Sequence, residues 1–589
     1  MLDFISLLIQ RYRTLGEFTS PESKQAIPLG NTLASLTLAE ASLHKLAINA
    51  GHPQHPLQLA VIGPTQAGKS TVVNLVLNSP LAGVSPLAGF TVHSQGFMLN
   101  VADSDLSWLD TFFPGYECRN TGDLPHDRYN YYSLSDCRIK ENPLPPCVIW
   151  DTPDFDSISA RGYRDAVLRT AALADVLLLV VSKDKYADQY VWTTLELLLP
   201  LKKPLIVCIN KITEESLPII VRSFRSRYEA LSTSSEELLL TTISYQKDLD
   251  SAATQIAPEE ANALTNELQQ AFTAVQRAHQ EQNTYAFIER HWDDWVAPIV
   301  AEHAAEKAWE AQISRLVEQA LANYRRDYLD NPQNYETFKQ ALAELLSLLE
   351  VPGLAQPLLQ ARKIVTWPAR QLINLGKTLT GSEPQKELKG ISFEQRLLTQ
   401  ICEHIVTHLA EEALRISESD TGDSGWWKDI GRLLRHQRQA IRARFETSLT
   451  DYQQAFQPEI EKAAQALYDK LKQQPATLNS LRAARVTADA AAVALALKTG
   501  GISVHDFVFA PAMLAVTSIL TESALGHYMD KTEAQLKTRQ YETVKTKLFE
   551  VLQGELLALK DKLDPNQRFL VPAERFSAAE EQIRAHHDR

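Results

Sequence analysis

Between residues 56 and 250, short apolar runs alternate with stretches that have helical periodicity. The apolar runs are LQLAVIG (57–63), CVIWD (147–151), VLLLVVS (176–182), PLIVCIN (204–210) and LLLTTIS (238–244). Continuous apolar strands that are separated by helices are typical of a parallel sheet covered on both faces. The pattern therefore predicts an α/β domain over residues 56–250.

The rest of the chain has an almost wholly helical pattern. The breaks between the predicted helices carry proline or glycine, as in DNPQN (330–334) and TGDSG (421–425). The predicted helices cover 30–50, 255–281, 300–328, 334–349, 392–415, 428–447 and 450–474. We expect N-terminal helices packed on a helical stalk (1–55), a helical bundle (251–480), an apolar hairpin (481–530) and a C-terminal return helix and tail (531–589).

Composition narrows the class of protein further. The chain has 589 residues with a formal net charge of −13, which weighs against nucleic acid as a partner. Its five cysteines are odd in number and scattered, without zinc-ligand spacing, which indicates a reducing, cytoplasmic compartment. The sequence has no uninterrupted run of about 20 apolar residues, so we expect no conventional membrane span.

The sequence GPTQAGKS directly follows the first predicted strand and precedes a helical pattern. This GxxxxGK[ST] spacing lets backbone N–H groups of the loop surround phosphates at a helix N-terminus. We expect Lys69 to reach the β- and γ-phosphates and the hydroxyl of Ser70 to bind Mg²⁺. Glycines at 63 and 68 allow the close approach of the backbone to the ligand.

Polar residues follow three later strands, at the carboxyl edge where open α/β sheets bind ligands. Asp151 could hold Mg²⁺ through water. Asn210 and Lys211 could contact a purine, and the amide of Ser244 could meet the base carbonyl. Each residue alone is more often an ordinary turn residue, but together they favour a nucleotide site.

With these motifs, the chain resembles dynamin-like and Era-like bacterial GTPases, through GPTQAGKST, WDTPD, ADVLLLVVS and INKIT. The resemblance covers about residues 57–250 and implies a Ras-like fold that binds GTP or GDP with Mg²⁺ and carries a hydrolysis switch. It also implies a long helical stalk. The nucleotide-contacting residues would be Gly63, Pro64, Thr65, Gln66, Ala67, Gly68, Lys69, Ser70, Thr71, Asp151, Asp154, Asn210, Lys211, Thr213 and Ser244.

Two residues depart from the family pattern. The switch glycine, whose amide binds the γ-phosphate in the family, is Asp154, which adds a negative charge near the phosphate. The NKxD base-reading pattern ends in Thr213, which offers fewer acceptors to guanine than aspartate, unless Glu214 or Glu215 substitutes. We therefore expect slow hydrolysis and leave the choice between GTP and ATP open.

The switch threonine that covers Mg²⁺ and the γ-phosphate is predicted to be Thr91, with Ser94 and Ser85 as alternatives. Gln66 stands where related cation-assisted GTPases carry a polar catalytic residue. The interpretation of each as an ordinary loop residue stays open. The predicted catalytic residues are Lys69, Thr91 and Gln66, and the predicted Mg²⁺ ligands are Ser70, Thr91 and Asp151.

Residues 486–526 form two apolar legs around Thr499-Gly500-Gly501. Neither leg is long enough to span a bilayer comfortably, so the segment either dips into one leaflet or is the buried centre of a bundle. The basic amphipathic stretch 361–377 could meet an anionic membrane surface, and the basic helix 431–445 could meet phosphates of lipid or nucleic acid. Either stretch could simply be a solvated face.

Three functions remain in competition. The first is a dynamin-like GTPase that couples nucleotide state to an anionic membrane surface or to pairing of its GTPase domains or stalks as a homodimer. The second is a soluble regulatory switch for a protein partner. The third is an Era-like GTPase bound to ribosome or RNA, against which the acidic charge counts. We expect a cytoplasmic protein, peripheral at the inner membrane if the first function holds.

Overall fold

The structure of the chain is a computed structural model with two compact units. It describes all residues except 18–25, 85–90, 102–105, 126, 138–141, 156–159, 232–237, 245–257, 350–391, 420–421, 480–517, 519, 522–524 and 588–589. The first unit contains residues 1–300 and 564–589, and the second contains residues 301–563.

The first unit holds the predicted α/β domain. Its strands are β1 (Leu57–Ile62), β2 (Ser94–Leu99), β3 (Glu117–Cys118), β4 (Tyr131–Cys137), β5 (Cys147–Asp151), β6 (Val176–Ser182), β7 (Leu205–Ile212) and β8 (Leu239–Ser244). Its helices are α1 (Leu2–Glu17), α2 (Ala26–Gly51), α3 (Lys69–Leu77), α4 (Leu109–Phe112), α5 (Ala160–Leu173), α6 (Gln189–Leu198), α7 (Leu217–Leu231) and α8 (Pro258–Thr273).

The eight strands form one sheet in the order β3-β4-β2-β5-β1-β6-β7-β8. All neighbouring strands are parallel except β2 and β5, which pair antiparallel with Gln95 opposite Asp151. Apolar side chains fill a core on each face of the sheet. The predicted α/β fold with a parallel-rich sheet is confirmed, and this order brings the carboxyl ends of β1, β5, β6, β7 and β8 to one edge.

Helices α1 and α2 belong to the first unit, whereas the sequence prediction placed residues 1–55 on the helical stalk. Glu40 of α2 pairs with Arg169 of α5, and both side chains are more than nine-tenths buried. Lys45 of α2 lies 3.2 Å from the buried carboxylate of Asp175, just before β6. Buried charges persist where they are paired, and the partners of these two lie in the α/β domain.

A long helix, α9 (Gln280–Tyr324), follows the α/β domain, and the boundary between the two units falls within it. A π-helical turn, Arg325–Leu329, follows α9. The other described helices are α10 (Glu336–Leu348), α11 (Phe393–Ser417), α12 (Ser424–Lys472), α13 (Gly526–Val544), α14 (Glu550–Leu557) and α15 (Ala573–His587). Helix α15 belongs to the first unit and the others, from α10 to α14, to the second.

Helix α12 corresponds to two predicted helices, 428–447 and 450–474. The expected break is absent because the intervening residues contain neither glycine nor proline, and Leu449 is buried between Phe445 and Tyr452 along the same face. The basic stretch 431–445 lies within α12. Its Arg442 pairs with Glu403 and Glu446, so part of its charge is neutralised within the second unit.

A polar network is buried in the second unit around Glu394, in the first turn of α11. Its Oε1 accepts hydrogen bonds from the hydroxyls of Tyr324 at 2.6 Å and Tyr452 at 2.8 Å, and from Nε2 of Gln540 at 2.8 Å. Burial raises the pKa of the Glu394 carboxyl, although these three donors oppose the shift. The network joins α9, α11, α12 and α13 through a single oxygen.

Among the described helices, none combines the length and apolar character that a membrane crossing needs. Most of the predicted apolar hairpin, 486–526, lies outside the described residues, as does the basic stretch 361–377. The alternatives for these two segments therefore stay predictions.

Glu394 makes the stability of the second unit depend on pH. Because its folded pKa is raised, the unfolded chain loses this proton at a lower pH than the folded chain. The free energy of unfolding should therefore fall as the pH rises from about 4.3, the ordinary value for glutamate, through the folded pKa. Urea unfolding at a series of pH values, read by pulsed hydrogen exchange in residues 393–417, measures this dependence.

The matched variant is Glu394→Gln, which has nearly the same shape but no titrating proton. In this variant, the free energy of unfolding should fall less between about pH 4.3 and the folded pKa of Glu394 than it does in the parent. An equal slope in the parent and in Glu394→Gln would mean that Glu394 titrates alike in the folded and unfolded chains.

Candidate functional site

The predicted phosphate-binding loop connects β1 to α3 in a conformation that only glycine tolerates at two positions. Gly68 has a φ of +95°, and a Cβ there would lie 2.3 Å from Nδ2 of Asn210. A Cβ on Gly63 would lie 2.2 Å from the backbone oxygen of Val180 in β6. Both glycines of the motif are therefore required by the close packing of the loop against neighbouring strand ends.

Lys69, the first residue of α3, is buried and directs its ammonium group back into the loop. Nζ donates to the backbone oxygens of Gly63 at 3.1 Å and Pro64 at 3.3 Å. It also forms a salt bridge with the carboxylate of Asp154, whose side chain is 13% exposed. Asp154, which is predicted to stand in place of the switch glycine, therefore contacts the lysine of the predicted phosphate-binding loop.

Ser70 and Asp151 meet beside this cation. The hydroxyl of Ser70 donates to Oδ2 of Asp151 at 2.6 Å. Burial raises the pKa of the Asp151 carboxyl to about 6, and the Ser70 hydroxyl and Lys69 oppose that shift. Oδ1 of Asp151 is buried, and no described residue forms a hydrogen bond with it. An unpaired carboxylate oxygen next to a serine hydroxyl is a donor set that fits Mg²⁺.

The other side of the loop is held by residues at the end of β7. Nδ2 of Asn210 donates to the oxygen of Ala67 at 2.9 Å, and Nζ of Lys211 donates to the oxygen of Gln66 at 2.7 Å. Lys211 has a φ of +58°, and Gln66 a φ of +61°. The structure thus brings the predicted base-contacting pair against the predicted phosphate loop.

Thr213 and Ser244, which were also assigned to the base, have local partners. The exposed Thr213 shares a 2.8 Å hydrogen bond with the hydroxyl of Ser216. The amide and hydroxyl of Ser244 both donate to the carboxylate of Glu260, at 3.1 and 2.6 Å. Ser244 would have to release Glu260 before its amide could meet a base, and sequence reasoning missed Glu260 in this role.

The three candidates for the switch hydroxyl are separated by the structure. Ser94 is buried at the start of β2, where its hydroxyl bonds to that of Thr170 at 2.8 Å. Thr91 is half-buried three residues earlier, and no hydrogen bond to Ser70 or Asp151 is found for it within the described part of the chain. Ser85 lies outside the described residues. The assignment of Thr91 stays a prediction, as does the catalytic role of the exposed Gln66.

The fold and the loop together define a P-loop GTPase domain. Residues 58–211 match the family model described as 50S ribosome-binding GTPase. The predicted resemblance of this region to bacterial P-loop GTPases is confirmed by the match.

Individual relatives are more distant. A stretch of 216 residues, 35% of this chain, is 24% identical to the GTPase Der of Chlamydia caviae, and the chain spans only 38% of that relative's length. Era in complex with MgGDPNP and 16S ribosomal RNA is 20% identical, covering 32% of this chain and 51% of its own, with a TM-score of 0.21. A chain of an oligomerised bacterial dynamin pair is 10% identical, covering 96% and 99%, with a TM-score of 0.33.

Replacing Gly63 by alanine should disrupt the loop. The added Cβ would meet a backbone oxygen at 2.2 Å, which cannot move without disturbing β6. We expect Gly63→Ala to destabilise the first unit by about 1–3 kcal/mol in thermal or urea unfolding.

The control is Gly30→Ala in helix α2, where a Cβ would meet no atom within 4 Å. That variant should match or exceed the parent in stability by about 0.5–1 kcal/mol. Equal stability of the parent and Gly63→Ala would contradict the loop geometry described above.

Proposed function

We propose that the chain binds GTP or GDP together with Mg²⁺ at this loop and hydrolyses GTP slowly. The observation that carries the proposal is the meeting of Lys69, Ser70 and Asp151 at the carboxyl edge of the sheet, where one Asp151 oxygen has no hydrogen-bond partner within the described part of the chain. The match of residues 58–211 to a GTPase family model supports the same nucleotide.

Each residue has a separate task in this proposal. The loop amides and Lys69 bind and orient the β- and γ-phosphates, while Ser70 and Asp151 would hold the metal, Asp151 through water. Mg²⁺ supplies charge neutralisation at the phosphate oxygens when it is bound. Thr91 is proposed to close over the γ-phosphate, and Gln66 to lie near the reacting group.

The proposed slow turnover follows from the residue at the switch position. Related switches have a glycine there, which is flexible and places no acidic side chain near the phosphate, whereas this chain has Asp154. The Asp154 carboxylate adds negative charge where negative charge must be stabilised. Pairing of two nucleotide domains could supply the missing stabilisation, which is why a homodimer remains part of the proposal.

The nucleotide state would be transmitted through α5. This helix follows the loop that carries Asp154, and α2 packs along it within the first unit. Arg169 of α5 pairs with Glu40, which also accepts a 2.6 Å hydrogen bond from the hydroxyl of Ser6 in α1. A movement of α5 would therefore pull on both N-terminal helices, because breaking a buried ion pair is costly.

One experiment each tests the competing functions beyond nucleotide binding. Nucleotide-sensitive sedimentation with anionic vesicles would favour the dynamin-like function, and its absence would favour the regulatory switch. The matched family is described as ribosome-binding, which favours the third function, whereas the net charge of −13 weighs against it. Salt-dependent retention on ribosomal RNA would support that third function.

Lys69→Ala tests the nucleotide site directly. The variant removes the cation and its charge-assisted bonds to two phosphates, so GTP affinity should fall by at least about 100-fold in the presence of Mg²⁺. Equilibrium binding of a fluorescent GTP analogue measures this change.

Lys307→Ala is the matched control, since Lys307 is an exposed lysine of α9 in the second unit. It should bind GTP like the parent. If Lys69→Ala binds as tightly as the parent, the loop is not the nucleotide site.

Thr213→Asp tests the assignment of the base to the end of β7. A carboxylate there can accept two hydrogen bonds from the guanine edge, so the ratio of GTP to ATP affinity should rise at least about tenfold. Competition titrations with both nucleotides give the ratio.

Ser216→Ala removes the hydroxyl partner of Thr213 without adding an acceptor, and it should leave the ratio close to the parent's. An unchanged ratio in Thr213→Asp would show that the base does not lie at this strand end.

A further inference from the structure

The ammonium group of Lys69 has as many acceptors as it has protons. An ammonium carries three N–H donors, and among the described residues its three acceptors are the oxygens of Gly63, Pro64 and Asp154. Two of them are backbone oxygens of the loop, which move only with the loop backbone. The Asp154 carboxylate can be removed by a rotation of its own side chain, so a phosphate oxygen that enters its place competes with Asp154 for Lys69.

Described residues on both sides of Asp154 are anchored in the first unit. The hydroxyl of Thr152 donates to the backbone oxygen of Val61 in β1 at 2.8 Å. Phe155 is buried in the core of the first unit. Asp154 lies between these two anchored residues. The backbone therefore positions its carboxylate beside Lys69, whereas a surface side chain would make such a contact only part of the time.

The sheet order indicates which phosphate Asp154 opposes. The proposed base contacts lie at the ends of β7 and β8, on one side of β1, whereas Asp154 follows β5, on the other side. A nucleotide with its base beside β7 must extend its phosphates across the loop toward β5. The terminal phosphate of a triphosphate therefore reaches the position nearest Asp154, while a diphosphate ends before it.

We propose that Asp154 is a specificity-determining residue that occupies the place of the terminal phosphate and makes the site favour GDP over GTP. The inference deepens the proposed function and rests on it. In the diphosphate state, the Asp154 carboxylate keeps its salt bridge with Lys69, because the place of the terminal phosphate is free. In the triphosphate state, it loses this cation and faces a second anion.

The cost of the triphosphate state is increased by burial. The Asp154 side chain is only 13% exposed, and that of Lys69 only 5%, so water screens their charges weakly. Asp151 is a second carboxylate in the same site. A terminal phosphate would thus enter a region that already holds two acidic groups and one lysine, and bound Mg²⁺ would offset only part of that repulsion.

The experiment compares GDP with a slowly hydrolysed triphosphate analogue, GTPγS, by calorimetry in the presence of Mg²⁺. The parent should bind GDP more tightly than GTPγS. Asp154→Asn keeps the shape of the side chain and removes its charge, and it should raise the ratio of GTPγS to GDP affinity by about tenfold or more. Asp154→Gly should raise the ratio in the same direction.

Asp136→Asn is the matched control, because Asp136 is an exposed acid near the end of β4, at the opposite edge of the sheet. It should leave the ratio unchanged. An unchanged ratio in Asp154→Asn, with GDP still bound, overturns the inference and leaves the proposed function intact. Weaker GTPγS binding in Asp154→Asn also overturns it, since Asp154 would then support the triphosphate, for example through the metal. If the parent binds neither nucleotide, the proposed function itself fails.

Discussion

A buried ammonium group that must be surrounded by oxygen atoms is the constraint on which the site depends. Lys69 is 5% exposed, so it needs acceptors from the chain itself. The loop supplies two of them by turning its carbonyls inward, which requires the left-handed conformation of Gly68 and the bare Cα of Gly63. The third comes from Asp154, which reaches the loop only because β5 lies next to β1.

The same arrangement ties the site to the N-terminal helices. The loop after β5 leads into α5, and α5 is bound to α2 by the buried pair of Arg169 and Glu40. At the opposite end of β1, the buried carboxylate of Asp175 is shared by Lys45 and Arg277 and also accepts from the amide of Gln58. Charged contacts thus join α2 to α5 at one place and to the residue just before β6 at another, and a displacement of α5 alone would strain one against the other.

Much of the α/β domain could be predicted from the sequence because its central strands are buried on both faces. LQLAVIG, CVIWD and VLLLVVS contain almost no polar residues, so their place in a covered sheet is evident from composition alone. SQGFML and YYSLSDC, which form β2 and β4, mix polar and apolar residues. That mixture hides these two strands from pattern analysis, and with them the antiparallel pairing of β2 and β5.

The location of residues 1–55 could not be predicted for a different reason. Helical periodicity shows that a face is buried but does not show which partner buries it, and the partners of Glu40 and Lys45 are distant in sequence. The candidate site shows the same limit. The sequence indicates that Asp154 brings charge near a phosphate, but only the fold shows that it contacts Lys69.

The two departures from the GTPase pattern act at opposite ends of the proposed nucleotide, and they act in the same direction. Thr213 stands where a carboxylate would have accepted hydrogen bonds from guanine, so its presence would weaken binding of the base. Asp154 adds a carboxylate beside Lys69, which would weaken binding of the terminal phosphate. Both changes would reduce the free energy gained from GTP, and only the second would discriminate GTP from GDP. A site built in this way would rest in the diphosphate state, and any contact that draws Asp154 away from Lys69 would favour the triphosphate state.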